Sequence, residues 1–115
     1  MSITVYGIPN CDTVKNGRNW LDAQGIAYAF HDYKKLGADH AQLARWIEQA
    51  GWEKVLNRAG TTFRKLPDAD KTEIDAAKAA QLMAVHSSAI KRPIVEHDGG
   101  LLVGFDAAEW GAALA

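Results

Sequence analysis

Cys11 is the single cysteine of the chain, and its position is what gives it chemical interest. The run Ile3-Thr4-Val5-Tyr6 is β-branched and aromatic and predicts a strand. Gly7-Ile8-Pro9-Asn10 predicts a turn, and Asp12-Thr13 opens a predicted helix. Cys11 therefore lies between a strand end and a helix start. The thiolate is the reactive form of cysteine, and a helix N-terminus favours an anion through its free N–H groups and its dipole. Gly7 and Pro9 bend the chain so that those N–H groups face the sulfur. Lys15 and Arg18, in the first turns of the same helix, either add positive field or point to solvent; Asp12 works slightly the other way. The competing view is a small buried hydrophobe, the usual fate of a lone thiol. The strand–turn–Cys–helix context favours a reactive Cys11.

Arg92-Pro93 is the second signal. An arginine ahead of a strand-starting proline can present a fixed bidentate donor to a carboxylate or oxyanion. A cis Arg92–Pro93 bond would make that turn rigid. The dipeptide alone favours a trans bond, an edge strand and a solvated Arg92.

The remaining elements must position these two groups. Val14 and Leu21 are a helical repeat apart in the Cys11 helix, and Gly25 stops it. Ile26 to Tyr33 predicts a second strand, with Ile26, Tyr28 and Phe30 on one face. Strand, helix, strand with a crossover helix implies a parallel pair. Asp39 predicts the N-cap of a helix carrying Leu43, Trp46, Ile47 and Ala50, ended by Gly51. Trp52 to Arg58 is a short helical piece closed by Gly60, and Thr61 to Pro67 a loop. Asp68 to Val85 reads as one alanine-rich helix. Pro93 to Glu96 and Leu101 to Val103 are strands joined by the turn His97-Asp98-Gly99-Gly100. Asp106 caps a last helix with Trp110 and Leu114. The order is βαβ, a helical block, then ββα. It implies an α/β fold with a mixed four-stranded sheet whose faces helices cover, and it matches a thioredoxin-like fold with a helical insert at approximately 39–88.

Composition narrows the function. The length of 115 residues suits one domain spanning 1–115, and 48% apolar residues suffice for a core without disulfides or metal. A net charge of −1 argues against direct nucleic-acid or membrane-surface binding. The start of the chain lacks the pattern of a signal peptide, and no apolar run is long enough to span a bilayer, so the expectation is a cytoplasmic protein with a reduced thiol. His31, His40, His86 and His97 are scattered without metal-ligand spacing, so no metal site is expected. His86-Ser87-Ser88 either ends a helix or brings a hydroxyl near Cys11. Trp20, Trp46, Trp52 and Trp110 read as packing residues. The run from Arg64-Lys65 to Asp70-Lys71 reads as a solvated loop.

Tyr6-Gly7-Ile8-Pro9-Asn10-Cys11-Asp12-Thr13-Val14-Lys15 resembles the active-site loop of the ArsC/Spx family of arsenate-reductase-like proteins. Arg92-Pro93-Ile94-Val95 resembles that family's Arg-Pro-Ile block. Leu56-Asn57-Arg58 and Thr62-Phe63-Arg64-Lys65-Leu66 resemble its middle block. The resemblance runs nearly end to end, and the Asn-Cys-Asp-Thr loop is that of the YffB subgroup. It implies a thioredoxin-like fold with a helical insert, Cys11 as nucleophile, Arg92 before a cis Pro93, and glutathione as thiol co-substrate, with no bound organic cofactor. Asn10, Asp12, Thr13, Lys15, Arg58 and Pro93 match substrate-binding positions, although Arg58 aligns one position off the family arginine. The third substrate-binding arginine of arsenate reductases falls near Gly104 and is absent. Three arginines neutralise arsenate, and each missing charged hydrogen bond costs about 1–3 kcal/mol.

The implied activity is a glutathione-dependent thiol reductase acting on a small thiol or oxyanion substrate, with glutaredoxin as a further partner. The alternatives are a true arsenate reductase and an Spx-like regulator that binds the RNA polymerase α subunit. The Spx disulfide switch is impossible with one cysteine.

Overall fold

The computed structural model describes residues 2–98 and 100–114. The chain divides into two compact units, Met1–Leu36 with Arg92–Ala115, and Gly37–Lys91.

In the first unit, strand β1 (Thr4–Gly7) leads to helix α1 (Asp12–Ala23), strand β2 (Ala29–Asp32) and a single turn, α2 (Tyr33–Leu36). After the second unit come β3 (Ile94–His97), β4 (Gly100–Val103) and the last helix, which is α8 (Ala107–Leu114). The sheet order is β2-β1-β3-β4. β1 pairs parallel with β2 and antiparallel with β3, and β3 pairs antiparallel with β4. This is the mixed four-stranded α/β sheet of a thioredoxin-like fold. The turn into β4 includes Gly99, which lies outside the described residues.

Strand alternation sends Val5, Val95 and Leu102 to one face of the sheet. There they meet Leu21 of α1 and Trp110 and Leu114 of α8, with Ile26, Tyr28, Phe30 and Phe105 packed around them. Two glycines permit the close approach of helix to sheet and helix to helix. A Cβ on Gly7 would lie 2.9 Å from Val14 Cγ2, and one on Gly17 would lie 2.8 Å from Trp110 Cη2. Trp20 stands edge-on to Trp110 at 6.0 Å, the packing role its sequence position suggests. The Asp106 carboxylate caps α8, accepting from the backbone N–H groups of Ala108 and Glu109.

The second unit is helical: α3 (His40–Ala50), α4 (Trp52–Val55), α5 (Thr61–Arg64), α6 (Asp68–Lys71), α7 (Ala76–Val85) and a 3₁₀ turn at Ser87–Ala89. Asp39 caps α3 by accepting from Ala41 N–H at 3.0 Å. Leu43, Trp46 and Ile47 are buried on α3, and Ala79, Ala80, Leu82 and Met83 on α7. Leu56 and Ile90 form a bridge, flanked by Asn57 N–H to Ala89 O and Lys91 N–H to Val55 O, both 2.8 Å. These bonds tie the C-terminal end of the unit to the segment that follows α4.

Four local expectations are corrected. The second strand begins at Ala29 and stops at Asp32, so Tyr33 opens a helical turn instead of ending the strand. The helical piece from Trp52 stops at Val55, because Leu56 turns extended to pair with Ile90. Thr61–Arg64, read as loop, is one helical turn. Asp68 to Val85 is two helices. Thr72 is extended, Glu73 has a φ of 51°, and Asp75 restarts the helix by accepting from Lys78 N–H at 2.8 Å. Lys78 Nζ reaches back to the carbonyl oxygens of Ala69 and Thr72, which secures the break. Among the described residues, no helix is long and apolar enough to cross a membrane.

Candidate active site

Cys11 is the N-cap residue of α1, with extended backbone (φ −93°, ψ 127°). Its N–H donates to Ile8 O at 3.2 Å, which tightens the turn Ile8–Cys11 after β1. Its carbonyl accepts Lys15 N–H at 2.9 Å and starts the helix. The first N–H groups of a helix have no intrahelical acceptor, and here they follow a half-buried thiol directly. Gly7 fixes this placement, because only a residue without Cβ lets Val14 seat against the end of β1.

β1 is a central strand, so the turn that carries Cys11 has a neighbour on each side. The parallel register pairs Gly7 with Asp32, the residue before Tyr33. The antiparallel register pairs Tyr6 with Ile94, two residues after Arg92. Tyr33 thus follows the last residue of β2 directly, and Arg92 stands just before β3. The positive charge of Arg92 acts on the Tyr33 phenol. Tyr33 has no solvent exposure, and Arg92 is half-buried. Burial pushes the Tyr33 phenol well above its ordinary pKa, and the Arg92 charge pulls the other way. Cys11 and Asp32 are both close enough for their negative forms to raise it further. Tyr33 is therefore within electrostatic reach of both Cys11 and Arg92 and holds its proton.

The Arg92–Pro93 peptide bond is cis. Pro93 is buried, and its carbonyl accepts Gly104 N–H at 2.8 Å. Gly104 has a φ of 78°, and its own carbonyl accepts from Trp110 Nε1 at 3.0 Å. Gly104, near which the family resemblance sets the third arginine of arsenate reductases, is thus a left-handed glycine with both backbone groups engaged.

Asn10, Asp12, Thr13 and Lys15 surround Cys11 in the chain and are all exposed. Arg18 neither faces the thiol nor stands free in solvent. Its Nε donates to Tyr28 Oη at 3.1 Å, and its guanidinium lies 4.1 Å from the Phe30 ring centroid. Arg58 belongs to the second unit, where it is exposed and lies 5.2 Å from the Trp52 ring centroid. Arg64 is also in that unit, with Nε and Nη2 both on Ala59 O. His86 ends α7, as its sequence position suggests. No group of three or more His, Cys, Asp or Glu side chains among the described residues is arranged to hold a metal ion.

Tyr33 is the residue that sequence reasoning missed. Its signal was its place directly after β2, the strand that pairs in parallel with β1.

The model of the ArsC family matches residues 6–113. The solved structure of a protein named YFFB is 53% identical, with a TM-score of 0.97 over 99% of this chain and 100% of its own. An arsenate reductase (ArsC) related protein from Brucella melitensis is 54% identical, with a TM-score of 0.78 over 97% of this chain and 93% of its own. An uncharacterised protein of Haemophilus influenzae is 42% identical over 113 residues, which are 98% of this chain and 99% of that one. A family match that runs from the strand before Cys11 into the last helix leaves one assignment: the chain belongs to the ArsC family.

Proposed function

We propose that the protein is a glutathione-dependent thiol reductase of the cytoplasm in which Cys11 is the nucleophile. The observation that carries this reading is the half-buried thiol at the N-cap of α1, with Arg92 before the cis Pro93 at the start of the strand next to β1.

The reaction is thiol–disulfide exchange in two steps. The Cys11 thiolate attacks the glutathione sulfur of a mixed disulfide, a new S–S bond forms to Cys11, and the substrate leaves as its thiolate. A glutathione thiolate then attacks the glutathione sulfur of that adduct, releasing glutathione disulfide and regenerating the Cys11 thiolate. The resolving thiol is external, because the chain has one cysteine. The net reaction consumes one free glutathione, whose sulfur joins the glutathione released from the substrate as glutathione disulfide, while the substrate sulfur is reduced to its thiol. The helix N-terminus favours sulfur as an anion in both steps. Arg92 supplies a charged donor for a carboxylate of glutathione, and exposed Asn10, Asp12, Thr13 and Lys15 border the approach.

Arsenate fits less well. Gly104 provides no cation near the place where the family resemblance sets the third arginine of arsenate reductases, and its left-handed backbone disfavours one. The test is reduction of a glutathionylated peptide by reduced glutathione. Wild-type protein accelerates it and Cys11→Ser does not; activity retained in Cys11→Ser contradicts the mechanism.

A further inference from the structure

Helix α1 carries Cys11 at its N-cap and buries Val14, Gly17 and Leu21 on one face. Lys15, Arg18 and Asp22 follow Cys11 at spacings of four, three and four, which sets them all on a second stripe of the helix, with Asn19 beside them. That stripe borders an open cleft between α1 and the chain entering β2. Arg18, Asp22 and Tyr28 line both of its adjoining hollows, of about 260 and 360 Å³. Lys15 and Asn19 complete one hollow, and Phe30 helps to wall the other.

Arg18 is held in the wall of this cleft. Its Nε donates to Tyr28 Oη at 3.1 Å, and its guanidinium lies 4.1 Å from the Phe30 ring centroid. Neither contact is to a carboxylate, so the positive charge is not cancelled. Among the described residues, its two Nη groups have no hydrogen-bond or ion-pair partner, and Asp22 forms no ion pair with it. The planar fork that suits a carboxylate is therefore fixed in place and unused. Charge along the stripe changes sign with distance from the thiol: Lys15 and Arg18 come first, and Asp22 last. An anionic group is thus favoured only on the side toward Cys11. Arg18 stands about 10 Å from Cys11 along the helix axis, a distance an extended peptide covers in about three residues.

We propose that this cleft is a docking site for a peptide or protein disulfide, in which Arg18 holds a carboxylate about three residues from the cysteine that reacts with Cys11. The proposal rests on Cys11 as the reacting thiol, and not on glutathione as its co-substrate.

The test uses reduced protein and synthetic peptides whose one cysteine is a 2-thiopyridyl disulfide. The Cys11 thiolate attacks the peptide sulfur, a Cys11–peptide disulfide forms, and pyridine-2-thione leaves and is followed by its absorbance. The peptides carry glutamate three residues from the cysteine on both sides, glutamine at those places, or glutamate seven residues away. The rate with near glutamate over the rate with glutamine reads the carboxylate with thiol reactivity divided out. The expected wild-type ratio is about threefold to tenfold, between the worth of an exposed ion pair and that of a charged hydrogen bond. Distant glutamate gives a ratio close to unity. Arg18→Gln brings the near ratio close to unity, Arg18→Lys leaves it intermediate, and Tyr28→Phe, which removes the acceptor but keeps the ring, lowers it. A wild-type ratio close to unity, equal ratios for near and distant glutamate, or an unchanged ratio in Arg18→Gln overturns the proposal. A ratio lost in Lys15→Gln and kept in Arg18→Gln overturns it too. If Arg18→Gln does not fold, an unchanged ratio in Tyr28→Phe overturns it instead. No glutathione enters the assay, so a protein that shows these ratios but no glutathione-dependent turnover supports the docking site and contradicts only the reductase reading.

Discussion

The Tyr33 phenol is buried within electrostatic reach of the Arg92 guanidinium, whose positive charge works against the upward pKa shift that burial imposes. The phenol is buried, and its pKa is raised above the ordinary value of about 10. The consequence for stability has a definite sign. Below the ordinary value both folded and unfolded chains keep the proton, and the contribution is fully present. As pH rises past about 10 the unfolded chain releases the proton and the folded chain does not, so stability is lost. Urea unfolding midpoints should fall with pH above about 10 more steeply in wild type than in Tyr33→Phe. Parallel curves for the two proteins would contradict the buried, protonated phenol.

Gly17 lies on the face of α1 that meets α8. A Cβ there would approach Trp110 Cη2 to 2.8 Å, and Trp110 is fully buried. Gly17→Ala gains helix propensity of about 1 kcal/mol but must displace a packed indole, an overpacking cost of about 1–3 kcal/mol. The expected outcome is net destabilisation in denaturant unfolding. The same substitution at Gly111, where the nearest atom is Trp20 Cζ2 at 3.9 Å, should be neutral or stabilising.

Arg18 is committed to Tyr28 and Phe30 and not to the thiol. Arg18→Ala should cost about 1 kcal/mol of stability through the lost hydrogen bond and cation–π contact. The alkylation rate of Cys11 should stay as in wild type. A marked drop in that rate would place Arg18 in the electrostatics of the site.

Gly104 adopts a φ of 78° while its N–H serves Pro93 and its carbonyl serves Trp110. Gly104→Ala should destabilise by about 1–2 kcal/mol, the cost of left-handed backbone for an L residue. Thermal unfolding measures it. The result bears on function, because it states what a side chain would cost at Gly104, near which the family resemblance sets an arginine of arsenate reductases.

The sequence was legible wherever the signal was local. Cys11 at the strand–helix junction, Asp39 and Asp106 as caps, and the alternation of Ile26, Tyr28 and Phe30 toward one core were all read from neighbours in the chain. Asp68 to Val85 misled because its alanines favour helix throughout. The break depends on Asp75 capping and on Lys78 reaching back to Ala69 and Thr72, a choice between two helical solutions that composition does not report. Tyr33 was hidden for a different reason. It looked like the last residue of an alternating strand, and its burial within electrostatic reach of Arg92 and Cys11 arises only from the tertiary fold. The cis geometry at Arg92–Pro93 was likewise invisible in the dipeptide, and only the family resemblance implied it.

The most direct test of the account is to incubate the reduced protein with glutathione disulfide and follow the intact mass. The account predicts a single glutathione adduct on Cys11 that forms faster than on an unstructured cysteine peptide, forms more slowly in Arg92→Gln, and is released by reduced glutathione. An adduct that forms no faster than on the peptide, or at the same rate in Arg92→Gln, would contradict a glutathione site built from Cys11 and Arg92.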